Sequence, residues 1–166
     1  MADDALLKLS TELGAALQKR HWSLALAESC TGGWASQVVT MCKGSSSHFE
    51  RGFVTYSNLA KTEMLDVSNQ TLEQYGAVSE ETAREMAAGA LKNSNAQISA
   101  AITGIAGPDG ATPGKPVGTV CFAWATVDGV LKSETRHFDG DRDAVRRQSV
   151  VAALEGVHEL TLAPDL

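Results

Sequence analysis

Short apolar runs alternate with segments of helical period along this chain, and that alternation constrains its fold more than any other feature. Leu6, Leu9, Leu13, Ala16 and Leu17 recur at helical spacing and predict an amphipathic helix over residues 3–20. "WSLALAES" (22–29) reads as a buried strand, and "TGGWASQVVTM" behind it reads as a helix entered through Gly32 and Gly33. "GFVTYS" (52–57), β-branched and aromatic, predicts a second strand. "NLAKTEMLDV" predicts a short helix, and "NQTLEQYG" a turn-rich connection closing at Gly76. Ser79, followed by Glu80 and Glu81, has the chemistry of an N-cap with acids in the first turn, opening a helix to about Lys92. "QISAAIT" (97–103) predicts a strand, and Asp128-Gly129 between "VGTVCFAWATV" and "VLKSETRHF" predicts a hairpin. Asp141 is placed to cap a last helix over roughly 142–161. Strands interleaved with helices, plus one antiparallel hairpin, predict a three-layer α/β/α sandwich around a mixed, partly parallel sheet. No repeat or linker interrupts the pattern, so residues 1–166 are expected to form one domain.

A chain of 166 residues can bury roughly 70% of its unfolded surface, so no disulfide or metal is required for stability. The net charge is −6, and the nearest approach to a basic face is the pair Arg146 and Arg147, which argues against a nucleic-acid partner. Cys30, Cys42 and Cys121 are scattered, as are His21, His48, His137 and His158. That dispersal predicts reduced thiols and no zinc site. "MADDALLKLS" is acidic and does not read as a signal peptide, and no segment approaches the roughly 18 apolar residues of a membrane span. A cytoplasmic location without membrane contact is expected.

Three stretches carry chemistry beyond folding. "AESCTGG" (27–33) lies at a strand-to-helix junction, where backbone N–H groups approached through Gly32 and Gly33 could seat an anion; a plain capped turn would need the same residues. "GIAGPDGATPGKP" (104–116) holds four glycines and three prolines in thirteen residues after a strand, the pattern of a structured binding loop. "GSSSHFERGFVTYSNLAK" (44–61) sets three serines upstream of a tyrosine and a lysine. A serine hydroxyl needs a base, and a lysine whose pKa is lowered by burial can serve, with a tyrosine hydroxyl nearby to relay protons. Each of these residues also has an ordinary structural role open to it. By themselves they indicate an α/β protein with an anionic-ligand pocket and an option for Ser–Lys chemistry.

Taken together, "AESCTGG", "GSS" followed by "GFVTYSNLAK", "GAVSEETA", "TGIAGPDGATPGKPVGTV" and "GDRDAVRRQ" resemble, in order, the CinA C-terminal domain family, which includes nicotinamide-nucleotide amidases of the PncC type. The resemblance covers about Ala27 to Leu154. It implies hydrolysis of nicotinamide mononucleotide to nicotinate mononucleotide and ammonia, with no metal or cofactor, by a homo-oligomer, a dimer. It also implies a Ser–Tyr–Lys set, placed by the "GSS" motif on Ser46, Tyr56 and Lys61, with Ser45 and Ser47 as rivals; turnover kept by Ser46→Ala and lost by Ser29→Ala or Cys30→Ala would instead place the nucleophile in "AESCTGG". Ser29, Cys30, Thr31, Gly32 and Gly33, the strand end Thr103, Gly104, Ile105, Ala106 and Gly107, and Arg142 are the implied substrate contacts. Lys43 and Ala111 depart from the family pattern, where proline and glycine are common. Two other readings keep the pocket: a non-catalytic nucleotide-binding module, and an amidase on a different amide.

Overall fold

The computed structural model describes residues 3–163. Strands β1 (Leu24–Glu28), β2 (Phe49–Val54), β3 (Ile98–Gly104), β4 (Thr119–Thr126) and β5 (Leu131–His137) form one sheet in the order β2-β1-β3-β4-β5. The first three run parallel, and β4 and β5 join antiparallel. Helices α1 (Asp4–Arg20), α2 (Trp34–Val39) and α6 (Arg142–Leu162) cover one face. Helices α3 (Asn58–Leu65) and α5 (Glu80–Lys92) cover the other, with α4 (Asn69–Tyr75) against α5. This is the expected α/β/α sandwich with its mixed sheet.

Because β1, β3 and β4 are covered on both faces, they are apolar almost throughout. The two faces differ in size. Leu24, Leu26, Ile98, Ile102, Phe122 and Trp124 point toward α1, α2 and α6. Ala25, Ala27, Ala101, Ala123 and Ala125 point toward α5. Small side chains let α5 lie close to the sheet, where Ser99 Oγ donates 2.7 Å to the Ala87 carbonyl. The same closeness continues sideways: Gly89 of α5 faces the end of α3, where a Cβ would run into the Leu65 carbonyl.

Two elements differ from the sequence reading. Strand β2 begins three residues earlier than expected and ends at Val54; Thr55 N–H makes one more bond to the Glu28 carbonyl, and Tyr56 and Ser57 leave the sheet. As an edge strand it tolerates the polar "FER" at its start, which hid its beginning. The stretch read as a turn-rich connection is helix α4, capped by Ser68, whose Oγ accepts from the Thr71 N–H. Helices α5 and α6 start at the expected caps, where Ser79 accepts from Thr82 N–H and Asp141 from Ala144 N–H, and α1 starts at Asp4 with Asp3 as a cap that accepts from Leu6 N–H.

Gly89→Ala is expected to separate α5 from α3 and destabilise the protein by about 1–3 kcal/mol, as overpacking does. A urea unfolding curve measures this; an unchanged midpoint would contradict the close approach.

Candidate active site

Parallel strands end on the same side, and the register makes those ends level: Glu28 lies opposite Val54 on one neighbour and Ile102 on the other. The segments that follow β1, β2 and β3 therefore converge on one rim, the usual place for a ligand in an open α/β sheet. They surround a cavity of about 260 Å³.

Lys61 stands in its wall. It comes from the first turn of α3, yet its side chain is 1% exposed. Its Nζ donates to Ser29 Oγ at 3.0 Å, to the Thr55 carbonyl at 2.9 Å and to the Tyr56 carbonyl at 3.5 Å. Burial lowers the Lys61 pKa from that of a free lysine, partly offset by the adjacent Cys30. Ser29, 8% exposed, immediately follows β1. Cys30 lines the same cavity, but burial pushes its thiol up to about 11, so it is a protonated thiol near neutral pH.

The three serines are elsewhere. Ser45–Ser47 form a 3-10 turn just before β2, at the opposite end of the strand from Thr55 and Lys61. The strand alone spans about 17 Å at 3.3–3.4 Å per residue. There Ser47 contacts Gln18 of α1, whose amide also reaches Nδ1 of the buried His48. The expected Ser46–Lys61 pairing is thus not formed, and the serine brought to Lys61 is Ser29. Tyr56 does line the cavity, but the residue is 62% exposed and its hydroxyl accepts from Arg142 at 3.0 Å rather than meeting Lys61.

The turn after Ser29 is organised around Glu28, which the sequence reading passed over. Its buried carboxylate accepts from Thr31 Oγ1 (2.6 Å), from the N–H groups of Gly33, Ala35 and Ser36, and from Ser36 Oγ (2.7 Å). A protein carboxylate therefore occupies the N-terminus of α2, where the sequence reading had left open either an external anion or a plain capped turn. Thr31, Gly32 and Gly33 do not line the cavity. The available signal was an acid placed directly before the serine.

The far wall is the long loop after β3. Thr103, Gly104, Ile105, Ala106 and Gly107 line the cavity, as expected from the sequence, and so does Arg142. Arg142 donates 2.8 Å to the Gly107 carbonyl, tying this loop to α6. Lys115 ties it to α4 through the Tyr75 carbonyl at 2.7 Å. Thr103 Oγ1 donates to the Ala77 carbonyl at 2.8 Å and so fixes the "GAVS" segment, whose Ala77 and Val78 were not foreseen as cavity wall. Asn58 and Asp109 were also missed. Among the described residues no group of three or more His, Cys, Asp or Glu converges as metal ligands would, and no helix is long and apolar enough to cross a membrane.

The family model described as the CinA C-terminal domain matches residues 6–161. The chain belongs to that family. It is 54% identical over 155 residues to the nicotinamide-nucleotide amidohydrolase PncC of Escherichia coli K12, covering 93% of this chain and 94% of that one. It is 48% identical over 157 residues to the protein of the same name from Pseudomonas putida, covering 95% and 98%. Among solved structures, the competence/damage inducible protein CihA of Agrobacterium tumefaciens superposes with a TM-score of 0.93 at 39% identity, over 96% of this chain and 98% of that one. Of the five motifs that carried the resemblance, the second is divided in this CinA domain: its "GSS" lies away from the cavity, while its "GFVTYSNLAK" and the other four motifs border the cavity or hold its walls.

Glu28→Ala would leave the N–H groups of Gly33, Ala35 and Ser36 without their acceptor. It is expected to lower stability by about 3 kcal/mol or more, since several charge-assisted hydrogen bonds vanish at once. Chemical denaturation reads the loss, and a change below about 1 kcal/mol would show that the turn does not depend on this carboxylate.

Proposed function

We propose that this CinA domain is an amidohydrolase that converts nicotinamide mononucleotide and water to nicotinate mononucleotide and ammonia, with Ser29 as nucleophile and Lys61 as its base. The observation that carries this reading is the 3.0 Å contact between Lys61 Nζ and Ser29 Oγ, both buried beside the cavity. The names of the Escherichia coli and Pseudomonas putida relatives support the substrate.

The chemistry follows from the donors and acceptors around the amine. A neutral lysine has two N–H bonds and one lone pair. The Thr55 and Tyr56 carbonyls can take the two hydrogens, which turns the lone pair toward Ser29. Burial favours this neutral form. Lys61 then takes the Ser29 proton as the oxygen bonds to the carboxamide carbon, and the carbonyl oxygen gains the negative charge. The backbone N–H of Cys30, the residue after the nucleophile, is the natural donor to that oxyanion. Lys61 returns the proton to the leaving nitrogen, ammonia departs, and water cleaves the resulting ester to the free acid. Arg142 brings a guanidinium to the mouth, suited to the nucleotide phosphate, and the Tyr56 hydroxyl it holds marks the rim. A module that only bound nucleotides would have no use for a lysine sequestered against a serine. Cytoplasmic location, cofactor-free turnover and a homodimeric assembly belong to the same proposal.

Ser29→Ala and Lys61→Met are each expected to abolish most ammonia release from nicotinamide mononucleotide in folded protein. The double variant should be little worse, because the two groups act as one unit. Ser46→Ala should retain near-native turnover. Loss with Ser46→Ala and retention with Ser29→Ala would return the nucleophile to the serine turn.

The pH–rate profile gives an independent check. Only neutral Lys61 can accept a proton, so kcat/KM should rise with pH through the Lys61 pKa of the folded enzyme. Burial lowers that value, so the midpoint should lie below 10.5. A limb centred at or above 10.5 would remove Lys61 from the base role.

A further inference from the structure

"GDRDAVRRQ" contributes Arg142 to the cavity, but a second arginine of the same motif, Arg146, reaches the site from behind. Its Nε donates to the Cys30 carbonyl and its terminal NH2 to the Thr31 carbonyl, both at 3.1 Å, and its guanidinium lies 5.5 Å from the centre of the Trp34 ring. These acceptors are not isolated groups. The Thr31 carbonyl belongs to the peptide whose N–H is that of Gly32, and Gly32 donates at 3.1 Å to the Ser29 carbonyl. The Ser29 carbonyl in turn belongs to the peptide whose N–H is that of Cys30, beside the nucleophile at the cavity wall.

Two peptide units therefore stand in series between the guanidinium and the Cys30 N–H. When a charged donor polarises a carbonyl, the N–H across the same peptide becomes a stronger donor, and the effect passes along a hydrogen-bonded chain. We infer that Arg146 is a positioning residue for catalysis, which aims and polarises the Cys30 N–H at the oxyanion formed when Ser29 adds to the substrate carbonyl. This rests on the reading of Ser29 as nucleophile. Glu28 and Arg146 then divide the turn between them: the carboxylate collects its N–H groups and hydroxyls on one side, and the guanidinium holds its carbonyls on the other.

The test compares Arg146→Ala and Arg146→Lys with native enzyme, using two ligands. One is the aldehyde analogue of nicotinamide mononucleotide, whose carbonyl carbon can bond to Ser29 Oγ and whose oxygen then occupies the oxyanion position. The other is nicotinate mononucleotide, which forms no such bond. Deleting an oxyanion donor outright costs about 10²–10³-fold, so a donor left in place but misaimed and unpolarised should cost about ten- to thirtyfold. That loss is expected in kcat and in affinity for the aldehyde, with KM and nicotinate mononucleotide binding within about twofold of native. Arg146→Lys, which keeps the charge but cannot hold both carbonyls as a fork, should recover only part of the loss. Guanidinium ion added to Arg146→Ala should restore more.

Unchanged kcat and aldehyde affinity in both variants would overturn the inference. So would an equal loss in affinity for the two ligands, which a merely structural brace would produce. If Arg146→Ala does not fold, Arg146→Lys decides alone by the same ratio. Ser29→Ala, measured alongside, tests the underlying reading separately: if it binds the aldehyde as tightly as native protein, Ser29 forms no adduct, and both conclusions fall for that reason rather than through Arg146.

Discussion

The Glu28 carboxylate at the start of α2 is the interaction on which the rest of the site depends. A short helix beginning beside the core presents N–H groups that have no partner within the helix, and a turn that places a serine beside a lysine needs its other side held. One side chain meets both needs. It can do so because it is the last residue of a strand buried on both faces, so its position is fixed before the turn begins. The charge is balanced by what it touches rather than by an ion pair: hydroxyls and backbone N–H groups, all oriented donors.

Around that fixed turn, burial acts in opposite directions on two ionisable groups of the wall. The same exclusion of water lowers the pKa of the Lys61 amine and raises that of the Cys30 thiol. A lysine able to accept a proton and a cysteine unable to give one easily sit side by side in the same wall. In the proposed reaction this environment favours the hydroxyl of Ser29 over the neighbouring thiol, although a free thiol is the more acidic group.

Much of the fold was legible because its signals are local. The period of α1 and the caps Ser79 and Asp141 are written within a few residues, and the Asp128-Gly129 turn announces its hairpin. Helix α4 was hidden by a polar sequence that gains its helical character from the Ser68 cap and from Thr71 contacting Glu85 of α5. The site was legible as a set of stretches but not as a pairing. Lys61 is fifteen positions from Ser46 and thirty-two from Ser29, and the "GSS" motif placed the serine at the end of β2 away from Lys61. Which end of a strand a residue occupies is decided by strand direction across the sheet, and no short motif records that.

The unequal faces of the sheet have a consequence for the lysine. Ala25, Ala27, Ala101, Ala123 and Ala125 set how near α5 can come, and Gly89 passes that spacing on to the end of α3, the helix that carries Lys61. Alanine has no rotamers with which to absorb a change, so the row of methyl groups works as a fixed gauge block. The gap between amine and hydroxyl is therefore set in part by the thickness of a layer that supplies neither group, and a methylene added to any of those alanines would appear as a shift in where Lys61 stands.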